Sequence, residues 1–381
     1  MANTKFTLTP VVGDLFIGRK PFLNQLKNEL SNTNSHVGFC IYGRRRVGKT
    51  SILMEIKQLL EQKKELVVVY LSFYDLIDLS SKTLTEELVS SILEAYQKKG
   101  ILPLKAQIKK LLETPIEIIS ELLKNTKIEA TVLEHIKILL ENKEKEKTDS
   151  ERVRDAFNLA EVMAKATSTK CILMLDEFPE ILKIENGLQI VKMLRTQYEL
   201  QKKTSLIISG SIRKTLEAVA LLENSPFYKQ LVPMHILPFT KEETYDFLSE
   251  YKIKLNDSDT NKLYMLTGGI PFYLQFIGRA TYYSSSLDEA IKNFINQEGD
   301  LYFKEEFEKL NETEKAIVLA LCKKNKSLTE ISNELNEPTT TIGRYISILL
   351  EQDTVSKESR GIYYLVDPLF GYWLQKKLEI N

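Results

Sequence analysis

The sequence predicts an α/β fold, in which a parallel β-sheet carries helices on both faces and a mainly helical region follows. Short, wholly apolar runs alternate with helical patterns, as expected for parallel strands that are buried on both sides. These runs lie at 38–42, 66–73, 171–176 and 205–211, and a fifth at 234–239 completes the predicted sheet.

The segment between the second and third runs is far longer than the crossover helix that a parallel sheet needs. It shows amphipathic patterns at 83–99, 104–124 and 126–142, then a charged stretch and a helical pattern at 152–167. We interpret residues from about 75 to 150 as a helical insertion in a core domain spanning 1–240. Two roles are open for the insertion, a structural or oligomerising element and a partner-binding lid.

Strand-like runs end at Thr240, and two smaller domains are predicted beyond it. Short helical patterns fill 241–310, a helical lid domain, and one of them stops at Gly268-Gly269, as helices commonly do. After 311 the order is three helices and then a β-hairpin with Arg360 near its tip. This is the order of a winged helix, which we predict for 311–381.

Composition and charge indicate a globular protein with no strong electrostatic bias. Lys plus Arg number 52 and Asp plus Glu number 52, so any nucleic-acid-binding face would have to be local. Cys40, Cys171 and Cys322 each lie in an apolar stretch and predict small core residues in a reducing compartment. No signal-peptide pattern or bilayer-length apolar run is present, and the expected location is cytoplasmic, without a membrane.

The strongest motif runs from Gly43 to Thr50, directly after the first predicted strand. It matches G-x-x-x-x-G-K-[ST] and precedes a helical pattern, as phosphate binding at a helix N-terminus requires. Lys49 would bring its charge to the β- and γ-phosphates, and Thr50 would offer its hydroxyl to Mg²⁺. We therefore predict ATP and Mg²⁺ as ligands. The predicted contacts are Gly43, Arg44, Arg45, Arg46, Val47, Gly48, Lys49, Thr50 and Ser51.

Acidic residues follow the third predicted strand, where a P-loop needs a metal ligand. Asp176 would bind Mg²⁺ directly or through water, and Glu177 would polarise the attacking water. Glu177 also favours an ATPase over a switch GTPase. The fourth strand ends in Ser209-Gly210-Ser211. Ser209 or Ser211 would sense the γ-phosphate or orient water, unless these serines only form the turn.

Together these motifs resemble the archaeal-type ATPase family, within the AAA+/STAND class of P-loop NTPases. The resemblance covers nearly the whole chain apart from the insertion. It rests on FIGR at 16–19, YGRRRVGKTSIL at 42–53, LMLDEF at 173–178, SGS at 209–211, GGIPFYL at 268–274 and YLVDPLFGYWL at 364–374. The family implies that Phe16, Ile17, Gly18 and Arg19 form a box flanking the adenine and that Pro271 contacts the base. Alternatively, Phe16 is a core residue and Pro271 marks only a helix break.

The sequence departs from ring-forming relatives, because no diagnostic motif for an arginine finger is present. Arg195 and Arg213 are the candidates. One of Arg44, Arg45 and Arg46 would otherwise stabilise transition-state charge. Solvated or salt-bridged arginines are the alternative at these three positions.

The predicted winged helix offers a thin set of side chains for duplex DNA. Its third helix presents Thr339, Thr340, Thr341, Arg344 and Tyr345, and the hairpin adds Lys357 and Arg360. Such a set could reach phosphates and base edges. The alternative is a packing domain that docks on the ATPase core or on a protein partner.

These observations favour an ATP-dependent molecular switch that hydrolyses ATP with Mg²⁺, slowly without a partner. A DNA-binding regulator or recombination-associated factor, in which ATP gates DNA binding through the winged helix, is the alternative. A third hypothesis is an interaction protein whose nucleotide is structural and never hydrolysed.

Overall fold

The computed structural model describes residues 6–7, 9–101, 148–211 and 216–377. The predicted helices at 104–124 and 126–142, and Arg213, lie outside the described residues. Within the described part, the first sheet has five parallel strands in the order β2-β3-β4-β1-β5. The strands are β1 (Gly38–Tyr42), β2 (Leu66–Ser72), β3 (Lys170–Asp176), β4 (Thr204–Gly210) and β5 (Leu231–His235).

The predicted parallel α/β fold is confirmed, with one shifted boundary. The first four apolar runs form strands close to their predicted bounds, whereas the fifth strand starts at Leu231, upstream of the run at 234–239. Pro233 lies within this strand and pairs with Cys40 of β1. A proline lacks the backbone N–H for a ladder, and β5 tolerates it because this strand is at the sheet edge.

Helices cover both faces of the sheet, because successive strand residues point to opposite sides. In β1, Phe39 and Ile41 join the hydrophobic cluster under one layer of helices, and Cys40 joins the cluster under the other. The first layer contains α1 (Lys20–Ser31) and α2 (Lys49–Glu61). The second contains α3 (Ser81–Lys98), α4 (Asp149–Ala166) and α5 (Gly187–Leu200).

Helix α3, which lies in the segment predicted as an insertion, and α4, which follows that segment, both belong to this second layer. Helix α3 begins at a cap where the Ser80 hydroxyl accepts the Thr83 N–H, and α4 begins at a capping box of Thr148 and Glu151. Their apolar faces, including Leu88 and Phe157, are buried in the cluster on the sheet. These two helices therefore complete the α/β layer.

The C-terminal unit, defined here as residues 240–377, contains helices and a small antiparallel sheet in the order β6-β8-β7. Its helices are α6 (Lys241–Glu250), α7 (Asp257–Thr267), α8 (Pro271–Thr281), α9 (Leu287–Phe294), α10 (Glu305–Glu308), α11 (Glu312–Lys323), α12 (Leu328–Leu335), α13 (Thr339–Glu351) and α14 (Pro368–Lys377). A π-helical stretch, Ile295–Lys304, links α9 to α10. Its strands are β6 (Lys326–Ser327), β7 (Val355–Lys357) and β8 (Ile362–Leu365).

The lid and the C-terminal three-helix region share a hydrophobic core. Helices α11, α12 and α13 are followed by the β7–β8 hairpin, whose tip contains Gly361 at a φ of +77°. This is the order that the winged-helix prediction requires. Phe247 and Phe294 from the lid and Ile346 and Trp373 from beyond it belong to one continuous buried cluster within the described residues. The two parts therefore pack as a single body.

Two further expectations concern cysteines and membranes. All three cysteines are free and buried, as predicted. Across the described ranges, no helix combines the length and apolarity needed to cross a bilayer.

Candidate functional site

The loop between β1 and α2 is shaped by its glycines. A Cβ on Gly43 would lie 2.3 Å from the carbonyl oxygen of Ile236, so only glycine fits beside that backbone. Gly48 has a φ of +94° and caps the N-terminus of α2, with nothing within 4 Å of a built Cβ. The start of α2 therefore faces an open space, and the N–H groups at a helix N-terminus favour an anion.

Lys49 is held across this loop. It is only 5% exposed, and its Nζ donates to the carbonyl oxygens of Gly43 and Arg44, both at 3.0 Å. Burial lowers the pKa of the Lys49 ammonium, while the carboxylates of Glu177 and Asp176 raise it. An anion in the loop would favour the charged form of this lysine.

Asp176 ends β3 as the centre of a hydroxyl network. Its Oδ2 accepts from Thr50 Oγ1 at 2.8 Å and from Tyr70 OH at 3.0 Å. Its Oδ1 accepts from the Ser209 hydroxyl and from the Glu177 N–H. Asp176 is 2% exposed, and its four donors, from β2, β4, α2 and the residue after β3, fix the orientation of the carboxylate.

Glu177 follows at a left-handed φ of +51°, which turns its side chain out of the strand direction. Its Oε2 accepts from the Ser211 N–H at 3.2 Å and from the Ser211 hydroxyl at 3.1 Å. Burial is the largest cause that raises the pKa of Glu177, and Lys49 opposes the shift. A partly desolvated carboxylate held in this way is suited to accept a proton.

The two serines predicted at the end of β4, Ser209 and Ser211, have different surroundings. Ser211 lines the cleft described below. Ser209 is fully buried and binds Asp176, and it is not among the described residues that line the cleft. The roles of both serines stay predictions, with Ser209 placed as a support for Asp176.

A cleft of about 460 Å³ opens between the P-loop and the C-terminal unit. This volume lies within the usual range for small-molecule sites. A smaller cavity of about 50 Å³ adjoins it, and the two share Val11, Gly48, Ser51, Pro271 and Gln275. The cleft is also lined by Thr7, Thr9, Pro10, Arg45, Arg46, Lys49, Thr50, Tyr74, Glu177, Ser211 and Phe272.

The predicted adenine-flanking residues meet at the smaller, more apolar cavity. Phe16, Ile17, Arg19, Val47 and Pro271 line it. Arg19 is only 6% exposed, donates to the Leu237 carbonyl and stacks on Phe239, 4.7 Å from the ring centroid. Gly18, the remaining residue of the predicted box, is not among the described residues that line this cavity. It lies at a turn with a φ of +75°.

The three P-loop arginines point to different places. Arg45 lines the cleft. Arg44 donates to the Val366 carbonyl at 2.9 Å and lies 3.8 Å from Asp353. Arg46 donates to Tyr273 OH at 2.7 Å, with Glu306 at 3.3 Å. The salt-bridged alternative thus describes Arg44 and Arg46.

Arg46 is also enclosed by aromatic rings. Its Cζ lies 5.3 to 5.9 Å from the ring centroids of Phe272, Tyr273, Tyr302 and Phe303. Cation–π contacts of this kind strengthen as the cation loses water. Of the two candidate arginine fingers, Arg195 is the one that lies among the described residues. It pairs with Glu199 on the surface of α5 at 2.7 Å.

Among the residues named for DNA, Arg344, Lys357 and Arg360 are exposed, whereas Thr341 and Tyr345 are half-buried. Arg344 packs against its neighbour Tyr345, and Lys357 lies 5.5 Å from the Tyr363 ring centroid. Lys357 is followed by Glu358, and the helix of Arg344 ends at Glu351. DNA contact by Arg344, Lys357 and Arg360 stays a prediction.

Sequence reasoning missed Tyr70 and Gln275. Tyr70 is the polar residue of an otherwise aliphatic stretch in β2, at the position whose hydroxyl reaches Asp176. Gln275 follows Pro271 by one helical turn and lies on the same face of α8. The signal for both was a polar group in an apolar element.

A glycine loop at a helix N-terminus, a buried lysine and a strand-end aspartate bonded to Thr50 define a P-loop nucleoside triphosphatase. Residues 16–277 match the model of a family described as an ATPase domain predominantly from Archaea, and the chain belongs to this family. An uncharacterised protein of Methanocaldococcus jannaschii is 27% identical over 218 residues, covering 54% of this chain and 48% of that protein. The match thus spans about half the length of this curated relative.

Solved structures share the fold over nearly the whole chain. A Walker-type ATPase of Pyrococcus abyssi superposes with a TM-score of 0.70 at 17% identity, covering 94% of this chain and 96% of the other. The ORC2 protein of Aeropyrum pernix, solved in ADPNP and ADP complexes, gives a TM-score of 0.58 at 13% identity and covers 95% of each chain.

Proposed function

We propose that this protein is a molecular switch that binds and hydrolyses ATP with Mg²⁺ and changes the position of its C-terminal unit. The main support for a switch is that the P-loop has contacts on two sides. The loop that would hold phosphate through Lys49 also holds the C-terminal unit through Arg44 and Arg46. A change in loop conformation on one side therefore alters contacts on the other.

The residues present fit a magnesium-bound nucleotide. Thr50 and Asp176 place hard oxygen donors 2.8 Å apart, which is the chemistry that Mg²⁺ selects. Lys49 and the N-terminus of α2 supply positive charge for phosphate oxygens. The metal ion, when bound, would neutralise charge on the phosphates.

The chain's own groups then account for hydrolysis. Glu177, whose oxygen is oriented by two Ser211 donors, would accept a proton from the attacking water. Asp176, fixed by its four donors, would hold the metal side of the site. Arg45 and Arg46 both line the cleft, but Arg46 is bonded to Tyr273 and Glu306, so Arg45 would be the P-loop arginine that approaches phosphate.

Phosphate release from ATP with Mg²⁺ tests the enzymatic part. We expect Lys49→Ala to lose turnover and nucleotide binding, because no other described P-loop side chain holds a buried ammonium there. Glu177→Gln should keep ATP binding and lose turnover by about 100-fold or more. Lys64→Ala, an exposed lysine beyond α2, is the matched control and should behave as wild type. Full turnover in Glu177→Gln would remove this residue from the reaction.

Amide hydrogen exchange tests the switch. The Asp367 carboxylate accepts the Leu369 and Phe370 N–H groups at the start of α14 and also the Tyr273 hydroxyl, which accepts from Arg46. We expect ATP to change exchange at these two amides in Glu177→Gln. Adding Arg46→Ala should abolish the response while ATP still binds, and Arg360→Ala should preserve it. An unchanged response in the Arg46 variant would contradict coupling through this chain of contacts.

A further inference from the structure

Gln275, beside the smaller cavity, carries a buried acceptor that has no partner in the described part of the chain. The side chain is 8% exposed, and its Oε1 makes no hydrogen bond to any described residue. A buried unsatisfied carbonyl of this kind is costly and uncommon in folded proteins. Gln275 lines both the cleft and the smaller cavity, at the place where they join. The side chain that carries this oxygen therefore forms part of the wall of the candidate site.

The orientation of this amide is fixed by its neighbours. Gln275 Nε2 donates to Tyr251 OH at 2.7 Å, and Tyr251 OH donates to the Leu15 carbonyl at 3.1 Å. Since the tyrosine proton is committed to Leu15, its oxygen can accept only from an N–H. A flipped amide would take that proton away from Leu15 and leave the carbonyl unpaired.

The tyrosine itself is held firmly in place. Its ring stacks between Phe6, at a centroid distance of 4.8 Å, and Phe247, at 4.5 Å. The Tyr282 hydroxyl donates to the backbone carbonyl of Tyr251 at 2.5 Å. Because Tyr251 cannot easily turn, the amide nitrogen of Gln275 stays on Tyr251 and the carbonyl oxygen points away from that ring.

We propose that Gln275 selects adenine over 6-oxopurines, a step that rests on the proposed nucleotide site. The 6-amino group of adenine is a donor that would satisfy Oε1, whereas guanine and hypoxanthine carry an acceptor oxygen at the same position. A 6-oxopurine would leave Oε1 unpaired and set two acceptors against each other. Sites built around one required hydrogen bond reject analogues that lack it.

Equilibrium binding of ATP, ITP and GTP with Mg²⁺ to the full chain measures this selection. ITP differs from ATP at position 6 without the additional amino group of GTP. Wild type should bind ATP at least about tenfold more tightly than ITP. Gln275→Leu should lose most of that ratio through weaker ATP binding, with ITP affinity changed less than about threefold. Gln201→Leu is the matched control, because Gln201 also has a buried Oε1 with no partner among the residues that the structure describes but lies in the α/β core.

Tyr251→Phe provides a second, independent variant. It removes the hydroxyl that fixes the amide, so Gln275 can turn its N–H₂ toward a 6-oxo group and ITP binding should improve severalfold. An ATP-to-ITP ratio that stays at the wild-type value in both variants overturns the proposal. Equal loss of ATP and ITP in Gln275→Leu would also overturn it, since that result indicates packing alone. Wild type that binds none of the three nucleotides contradicts the proposed function instead.

Discussion

The phosphate end and the base end of the cleft are built on different principles. At the phosphate end, Asp176 and Glu177 accept hydrogen bonds from hydroxyl and N–H donors of one sheet and its P-loop. At the base end, the N-terminal segment, α2 and the lid helix α8 converge, and Gln275 retains an oxygen that no described residue pairs with. The phosphate end is thus complete within the α/β layer, whereas the base end depends on where the C-terminal unit sits.

The largest expected effect comes from breaking the phosphate end at Gly43. In Gly43→Ala the added Cβ would meet the Ile236 carbonyl oxygen at 2.3 Å, and backbone cannot yield as a flexible side chain can. We expect a loss of about 2–3 kcal/mol of unfolding free energy and no measurable nucleotide binding. Gly343→Ala, on helix α13 with Leu328 at 3.8 Å, should be neutral or up to about 1 kcal/mol more stable. Chemical denaturation compares the two, and a fully stable Gly43→Ala would refute the close approach.

A smaller effect separates two serines on β4. Ser209→Ala removes a donor from buried Asp176 and should cost about 1 kcal/mol, together with a weaker response of activity to Mg²⁺. Ser205→Ala removes a fully buried hydroxyl that has no partner among the described residues, so its stability should hold or rise. Denaturation midpoints and magnesium titrations measure both. Equal losses in the two variants would show that Ser209 acts only by filling space.

The smallest effect is a shift in the pH dependence of turnover. Because burial raises the pKa of Glu177, its carboxylate is protonated at a higher pH than an ordinary glutamate. As the pH is lowered, turnover should therefore begin to fall at a pH above the usual range for a glutamate. Ser211→Ala removes a hydrogen bond that favours the charged form, so the fall should move to still higher pH by less than about one unit. A shift to lower pH would contradict the assigned base.

Much of the phosphate end could be predicted from the sequence, because its residues follow strands in short contiguous motifs. The parallel sheet, the P-loop and the strand-end position of Asp176 followed from apolar runs and glycine spacing. The Tyr70 hydroxyl could not be assigned, since its contact depends on the β2–β3 pairing register.

The base end and the arginine contacts were harder to predict from the sequence. The Arg46–Tyr273 bond joins residues 227 positions apart, and neither belongs to a motif that implies the other. The bounds of the insertion were also difficult to predict, because α3 and α4 have the same amphipathic pattern as helices that leave the sheet. Their membership of the second layer depends on packing with the sheet.

The aromatic surroundings of Arg46 have an optical consequence. Trp373 is the only tryptophan in the sequence and is 5% exposed. Its ring lies 5.9 Å from that of Phe303, whose centroid is in turn 5.9 Å from the Arg46 guanidinium carbon. A displacement of the P-loop would alter the environment of this indole. Intrinsic fluorescence would then report nucleotide arrival in real time, without an attached dye.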